Sequence, residues 1–385
     1  MPAIQGAIRP RTLALYFGLL LRCHATSARG RQLRMTNLTV ADGMRCSELP
    51  PRPMGSTEER PHAYFVVIGP FTNKRAYTGW LYAIVALSNA LKLHGSTADV
   101  VVLCAQLRGA LHALPEEEDL LSRRGIHWRY VTALYGAAGY NLGHFKLWAW
   151  QHTEYNRIQL LDADVLPLVG MDRFFGFFGD SFDSDFVGCP GKVSALNAGW
   201  FLLRPSCGHF KAMTQLLRKN TAANRRRPWD TTLGWGHALP YWTNFAGKTM
   251  NAGWNFFDAN GNQGHMFSYF LFDAEDLTLI YKDKVVSYGR GRLERNESLL
   301  EQLGTHDPTR AKKLHEEVFE GAYPCPFPQN TKTSAYIHFA GFAKPWTKYD
   351  PKNPKFKLWY DALGLSPGIS LKRDIFPANS HGRPM

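Results

Sequence analysis

The sequence has no run of 18 or more apolar residues, which excludes a polytopic membrane protein. Cysteine is sparse, at six in 385 residues, and no two stand as Cys-x-x-Cys. That excludes a dense disulfide scaffold, a zinc ribbon and a thioredoxin-like motif. Internal repeats and low-complexity tracts are also missing, and with 45% hydrophobic and 20% charged residues a disordered, collagenous or coiled-coil chain is excluded. Acids are the scarce charge: 32 stand against 45 Lys and Arg, for a net charge of +13. Such an excess attracts anions. Part of it lies in the first 41 residues, which hold six Arg, no Lys and no acid. No nucleic-acid-binding motif accompanies it, so no nucleic-acid partner is expected.

Arg9 and Arg11 precede an apolar run at 12–21, and small residues follow at Ala25, Ser27 and Ala28. Residues 1–41 therefore read as a targeting leader, secretory by this order, although an Arg-rich, acid-free leader also fits an organelle transit peptide. Residues 42–61, with Pro50, Pro51, Pro53 and Pro61, read as a linker. Asn37-Leu38-Thr39 and Asn296-Glu297-Ser298 are glycosylation sequons on the secretory reading.

Strand and helix then alternate. Apolar runs predict strands at 63–69, 100–105, 126–131, 158–161, 186–189 and 199–203, and a strand-like stretch at 335–339. Three-to-four spacing predicts helices at 77–94, 145–155 and 209–218. The stretches 220–256 and 289–332 break this rhythm and read as two loop insertions, the second with a charged helix near 311–319. Alternation implies an α/β class, one Rossmann-like domain at 62–349 with a mixed, mostly parallel sheet covered on both faces. Ligands are then expected at the carboxyl ends of the strands. Residues 350–385 read as a basic C-terminal extension. Cys104 and Cys189, inside predicted strands, read as core thiols, and the eleven Trp as core and acceptor-groove residues.

Asp162-Ala163-Asp164 follows an apolar strand. Carboxylates at i and i+2 of extended chain point the same way, and like charges so close need a cation to stay ionised. Oxygen ligands suit Mg²⁺ or Mn²⁺, ions that usually also hold substrate phosphates. Taken alone, the pair also reads as two solvated loop acids. His338 ends the strand-like stretch, with Gly341 and Lys344 after it: a nitrogen ligand that tilts the choice to Mn²⁺, a close backbone approach for a phosphate, and a point charge for a diphosphate. Asn197-Ala198-Gly199 offers an amide to sugar hydroxyls. The stretch from Asp258 to Gly264 offers amides and a carboxylate, or merely a helix start. Gly247-Lys248-Thr249 fails as a Walker motif, because Trp242 stands where the first Gly belongs.

In order along the chain, Thr72-Asn73 with Tyr77, Lys146, Asp162-Ala163-Asp164, Asn197-Ala198-Gly199, Asn262-Gln263-Gly264 and His338-x-x-Gly341-x-x-Lys344-Pro345-Trp346 resemble glycosyltransferase family 8, the glycogenin and galactinol-synthase group. The resemblance covers residues 63–347. It implies a GT-A fold, Mn²⁺, and a retaining transfer of a hexose (glucose before galactose or glucuronic acid) from a UDP-sugar to a glycan, protein or small polyol. By position, Asp162, Asp164 and His338 would hold the metal. Gly341 and Lys344 would hold the diphosphate, and Thr72, Asn73 and Tyr77 the uridine. Lys146, Asn197, Ala198, Asn262 and Gln263 would meet the donor sugar.

The departures are Asn262 where the family often has Asp, with Asp258 as its substitute carboxylate; Ala198 in place of a Ser; and one extra residue between Asn73 and Tyr77. The change at Asn262 keeps open a homologue that binds nucleotide sugar or glycan without turnover. The leader points to the Golgi lumen, with plastid or cytoplasm as alternatives. Oligomeric state is not legible.

Overall fold

The computed structural model describes residues 46, 61–70, 74–106, 112–132, 134, 142–177, 184–189, 194–224, 229–239, 242–243, 249–250, 253–281, 284–288, 335–339, 344–347 and 349–365. All belong to one compact unit, Leu38–Met385. The leader, nearly all of the linker, the insertion at 289–332 with its charged helix, Thr72, Asn73 and Gly341 lie outside the described residues.

The strands are β1 (Ala63–Ile68), β2 (Asp99–Gln106), β3 (Ile126–Thr132), β4 (Ile158–Asp162), β5 (Val165–Pro167), β6 (Phe186–Cys189), β7 (Asn197–Leu203), β8 (Trp242–Thr243), β9 (Thr249–Met250), β10 (Leu277–Tyr281), β11 (Lys284–Tyr288) and β12 (Tyr336–His338). Eight of them form one sheet in the order β11-β10-β6-β7-β4-β1-β2-β3. The run β4-β1-β2-β3 is parallel, while β7 is antiparallel to both β4 and β6. The α/β class and the mixed sheet are as the alternation predicts. The helix α2 (Pro115–Arg123) and the β10–β11 hairpin go beyond it.

Alternate residues of β1 enter two different cores. Tyr64, Val66 and Ile68 pack with helix α1 (Lys74–Leu93), whereas Ala63, Phe65 and Val67 pack with the opposite layer. A strand buried on both faces shows a continuous apolar run, and Ala63–Ile68 has one. The opposite layer holds the 3₁₀ helix Leu142–Gln151, α4 (Cys207–Asn224) and α5 (Asn262–Ser268), while the short α3 (Arg173–Phe177) before β6 packs Phe174 and Phe175 into the core of α1.

The element expected as an α-helix at 145–155 is a 3₁₀ helix whose residues 143–150 are all buried. Three residues per turn place Gly143, Lys146 and Ala149 in one row. Nor is the insertion at 220–256 a loose surface loop where it is described. Trp235, Trp254 and Phe256 are core residues, and the Trp235 indole donates to the Ala259 carbonyl at 2.7 Å.

Two findings correct the cysteine and tail readings. Cys46 and Cys207 form a disulfide, and Cys189 is disulfide-bonded too, so of the two expected core thiols Cys104 alone is free. Within the expected extension, Asn353 caps α6 (Pro354–Leu363) by accepting from the Lys355 amide, and Gly364 ends the helix at φ 73°. The helix buries Phe356, Trp359 and Tyr360 in the core that holds α1. Among the described residues no helix is long and apolar enough to cross a membrane.

Candidate metal and diphosphate site

Asp162 is the last residue of β4, and Ala163-Asp164 form a tight turn into β5. The turn, rather than the extended chain expected from the sequence, brings the two carboxylates together. His338 arrives from far along the chain because β12 pairs antiparallel with β5, with His338 opposite Val165. The Phe339 amide donates to the Asp164 carbonyl at 2.9 Å, which fixes that register. Ligand atoms of Asp162, Asp164 and His338 all lie within 4.8 Å of one another. His338 Nε2 is 3.3 Å from Asp164 Oδ1 and 3.6 Å from Asp162 Oδ2.

The antiparallel β7 completes this edge. Its first residues lie beside the end of β4, with Trp200 opposite Leu161. Asn197-Ala198-Gly199 is thus inside the strand rather than ahead of it. A Cβ on Gly199 would stand 2.5 Å from His338 Cε1, so only glycine lets the imidazole pack here.

Two lysines neutralise the acids. Lys146 donates to Asp162 Oδ1 and to the Ala198 carbonyl, both at 2.6 Å, and is buried. Lys344 donates to the Asp164 carboxylate, and to the Phe339 carbonyl at 2.6 Å. Burial pushes the Asp164 carboxyl upward, but the His338 hydrogen bond and the His338 and Lys344 charges outweigh it and hold Asp164 below the ordinary range. Burial conversely pulls the His338 imidazole down. The Asp164 hydrogen bond, with the Asp164 and Asp162 charges, overcomes that and raises it. The donor set fits a hard divalent ion: two carboxylates with one imidazole, their ligand atoms converging on one point.

The remaining candidates divide. Gln263 Oε1 accepts from the Ala198 amide at 3.0 Å and ties α5 to β7. Gln263, Ala198, Lys146, Asp162, His338, Asp164 and Lys344 thereby form one continuous polar chain. Asn262 is buried against Gly143, and its amide nitrogen has no partner among the described residues. Asn197 Oδ1 accepts from the Gly199 amide at 2.7 Å, and Asp258 Oδ2 accepts from the Gln263 amide at 3.2 Å. The expected substitute carboxylate thus closes its own loop. Tyr77 is in the core, its hydroxyl donating to Glu117 Oε2 at 2.7 Å. Gly199 and Trp346 stood inside recognised motifs but were given no role of their own there, and Gly79 and Trp80 were not named as site residues; Gly79 and Trp80 both lie against Trp346.

No family model and no curated protein matches this chain. Among solved structures it is similar to the glycosyltransferase GlyE of Streptococcus pneumoniae TIGR4, at 14% identity over 82% of this chain and 62% of that one, with a TM-score of 0.43. The bifunctional glycosyltransferase WbbM is similar at 10% identity, 84% and 52% coverage, and a TM-score of 0.42. The galactosyltransferase LgtC, solved with donor and acceptor sugar analogues, is similar at 12% identity, 78% and 95% coverage, and 0.41. The chain thus spans about three fifths of GlyE and half of WbbM. With each score below one half, these likenesses carry no argument, and the site stands on its own residues.

Proposed function

We propose that this chain is a divalent-metal-dependent, GT-A-like glycosyltransferase of the family 8 type. In this reading it moves a hexose, glucose before galactose or glucuronic acid, from a UDP-sugar to an acceptor hydroxyl on a glycan, protein or small polyol. The supporting observation is the convergence of Asp162, Asp164 and His338 with Lys146 and Lys344 at the carboxyl edge of the parallel strands. Those three ligands would hold Mn²⁺, or Mg²⁺ as the second candidate, and the bound ion would supply positive charge to a diphosphate.

Lys344 would set its ammonium against the leaving diphosphate and stabilise the charge that grows there as the sugar C1–oxygen bond breaks. Lys146, bonded to Asp162 and to the Ala198 carbonyl, would hold both beside the donor sugar. The unpartnered Asn262 amide nitrogen is a donor for a sugar or phosphate oxygen. Asn197, Ala198, Gln263 and Asp258 shape the sugar pocket, Thr72 and Asn73 take the uridine, and Gly341 lets backbone approach the phosphates; Tyr77, in the core and bonded to Glu117, is left out of the uridine role.

Both acids are bound to cations, so neither is poised as a nucleophile, and the acceptor attacks from the face the diphosphate leaves. The acceptor oxygen bonds to C1, the C1–oxygen electron pair goes to the diphosphate, and the acceptor proton follows it. That order retains the anomeric configuration; a glycosyl-enzyme trapped by mass spectrometry would contradict it. The Cys46–Cys207 disulfide supports a secretory location such as the Golgi lumen, since such bonds persist in oxidising compartments. Import into isolated plastids would sink that assignment.

The test is UDP release by the full chain from a panel of UDP-sugars and acceptors, with and without Mn²⁺. Release that needs Mn²⁺ and vanishes in Asp164→Asn supports the enzyme. Mn²⁺-dependent UDP binding with no release supports the second reading, a binding homologue, which Asn262 favours. Neither binding nor release rejects both.

A further inference from the structure

Lys344 has no helix or strand of its own to hold it. It stands in the short segment 344–347, where the Thr347 amide and hydroxyl return to the Lys344 carbonyl at 3.0 and 2.9 Å. A long ammonium side chain carries about 2 kcal/mol of rotamer freedom, so its aim depends on what fixes the backbone beneath it.

Four contacts made by aromatic side chains do so. Trp346 lies on α1 where residue 79 is glycine: a Cβ there would stand 2.2 Å from Trp346 Cδ1 and 2.8 Å from Nε1. Trp80 and Trp346 have ring centroids 5.1 Å apart, and Trp346 and Trp359 of α6 are 5.6 Å apart. The Tyr360 hydroxyl donates to the Pro345 carbonyl at 3.3 Å. Behind these, Asn89 of α1 donates to the Ala362 carbonyl of α6 at 3.1 Å, and Phe339 packs on Phe356 with centroids 5.9 Å apart. The Lys344 ammonium itself lies 5.9 Å from the Trp80 ring centroid, within cation–π range.

We propose that Trp346, seated in the Gly79 notch of α1 and backed by Trp359 and Tyr360 of α6, is a positioning residue that aims Lys344 at the diphosphate. Helix α6 is on this view part of the donor site, through a cation whose own segment is neither helix nor strand. This rests on the reading that Lys344 meets the diphosphate.

A double-mutant cycle on UDP affinity tests it, by calorimetry of the full chain in saturating Mn²⁺, with melting temperatures taken in parallel. Gly79→Ala fills the notch and displaces the indole. Misplacing a binding group by an ångström is costly, so UDP affinity should fall about tenfold. In the Lys344→Met background the same substitution should cost less than about twofold, because the group it misplaces is gone. A merely structural role would give equal losses in both backgrounds, and that result overturns the proposal, as does an unchanged affinity in Gly79→Ala. If Gly79→Ala does not fold, Tyr360→Phe removes a single hydroxyl and enters the same cycle, with an expected loss of about twofold to threefold that disappears with Lys344. If Lys344→Met by itself leaves UDP affinity intact, the diphosphate role of Lys344 falls, and this inference with it. If Lys344→Met weakens UDP but the cycle is additive, only the positioning role falls.

Discussion

Lys344→Met should tighten divalent-metal binding in the absence of nucleotide. The Lys344 ammonium donates to the carboxylate of Asp164, one of the three proposed ligands, and both side chains are largely withdrawn from water, at 15% and 7% exposure. A divalent ion approaching that carboxylate must first displace the ammonium. A hydrogen bond to a charged group has a net worth of about 1.5–3 kcal/mol. At about 1.4 kcal/mol per tenfold, removing that competitor should tighten the metal dissociation constant about 10-fold to 150-fold. Methionine keeps most of the apolar stem beside Trp80, so packing changes little. The assay is the free Mn²⁺ signal in electron paramagnetic resonance, titrated with wild type and variant. With UDP present the sign should reverse, because the displaced ammonium would then serve the diphosphate. Metal affinity that is unchanged or weaker in the nucleotide-free variant refutes the competition and the placing of the ion on Asp164.

Three further predictions follow from the same structure. The metal needs a neutral His338, whose protonated form is favoured by Asp164 and Asp162 despite burial, so metal affinity should climb with pH by up to about tenfold per unit and level off above the raised His338 value. The metal-free protein should behave in the opposite sense. His338 contributes stability that is complete below its ordinary 6.5 and is lost as pH rises through the folded value, while Asp164 contributes above its ordinary 3.8 and loses it as pH falls through its own lowered one. Melting curves between those limits should therefore be the highest, and a metal-free melting temperature that keeps rising through pH 8 would contradict this. Separately, Cys207→Ser opens a loop closed by a sequence separation of 161 residues. The chain-entropy model puts that near 5 kcal/mol. For a domain of this size that is about 7 °C in melting temperature. A loss under about 2 °C in calorimetry would show that the cross-link constrains little of the unfolded chain.

Much of the architecture is written locally. The run Ala63–Ile68 is apolar at every position and is a strand buried on both faces. Helix α1 follows the three-to-four spacing of Leu81, Ile84, Leu87 and Leu91, all buried. The placing of Asp162 at a strand's carboxyl end was legible for the same reason, since period and composition report burial of near neighbours. The two-residue ladder of β8 and β9 and the three-residue β5 are too short to show any period, whereas β12 lies within the strand-like stretch expected at 335–339. The 3₁₀ helix was misread because an element buried all round has no polar face to reveal its pitch.

By itself, then, the sequence determined the α/β class, the strand that ends in Asp162, and the stock of carboxylates, imidazole, amides and lysines. Only the tertiary structure decided which of them meet. The pairing of β12 with β5 carries His338 to the two acids. The reversed direction of β7 sets Ala198 under Lys146, and Gly199 leaves room for the imidazole. Helix α6 and the Gly79 notch hold the segment of Lys344. Each of these contacts joins residues far apart in the chain. Their register and approach are fixed by packing between layers, where a single Cβ can decide the fit, and no local pattern of residues records that.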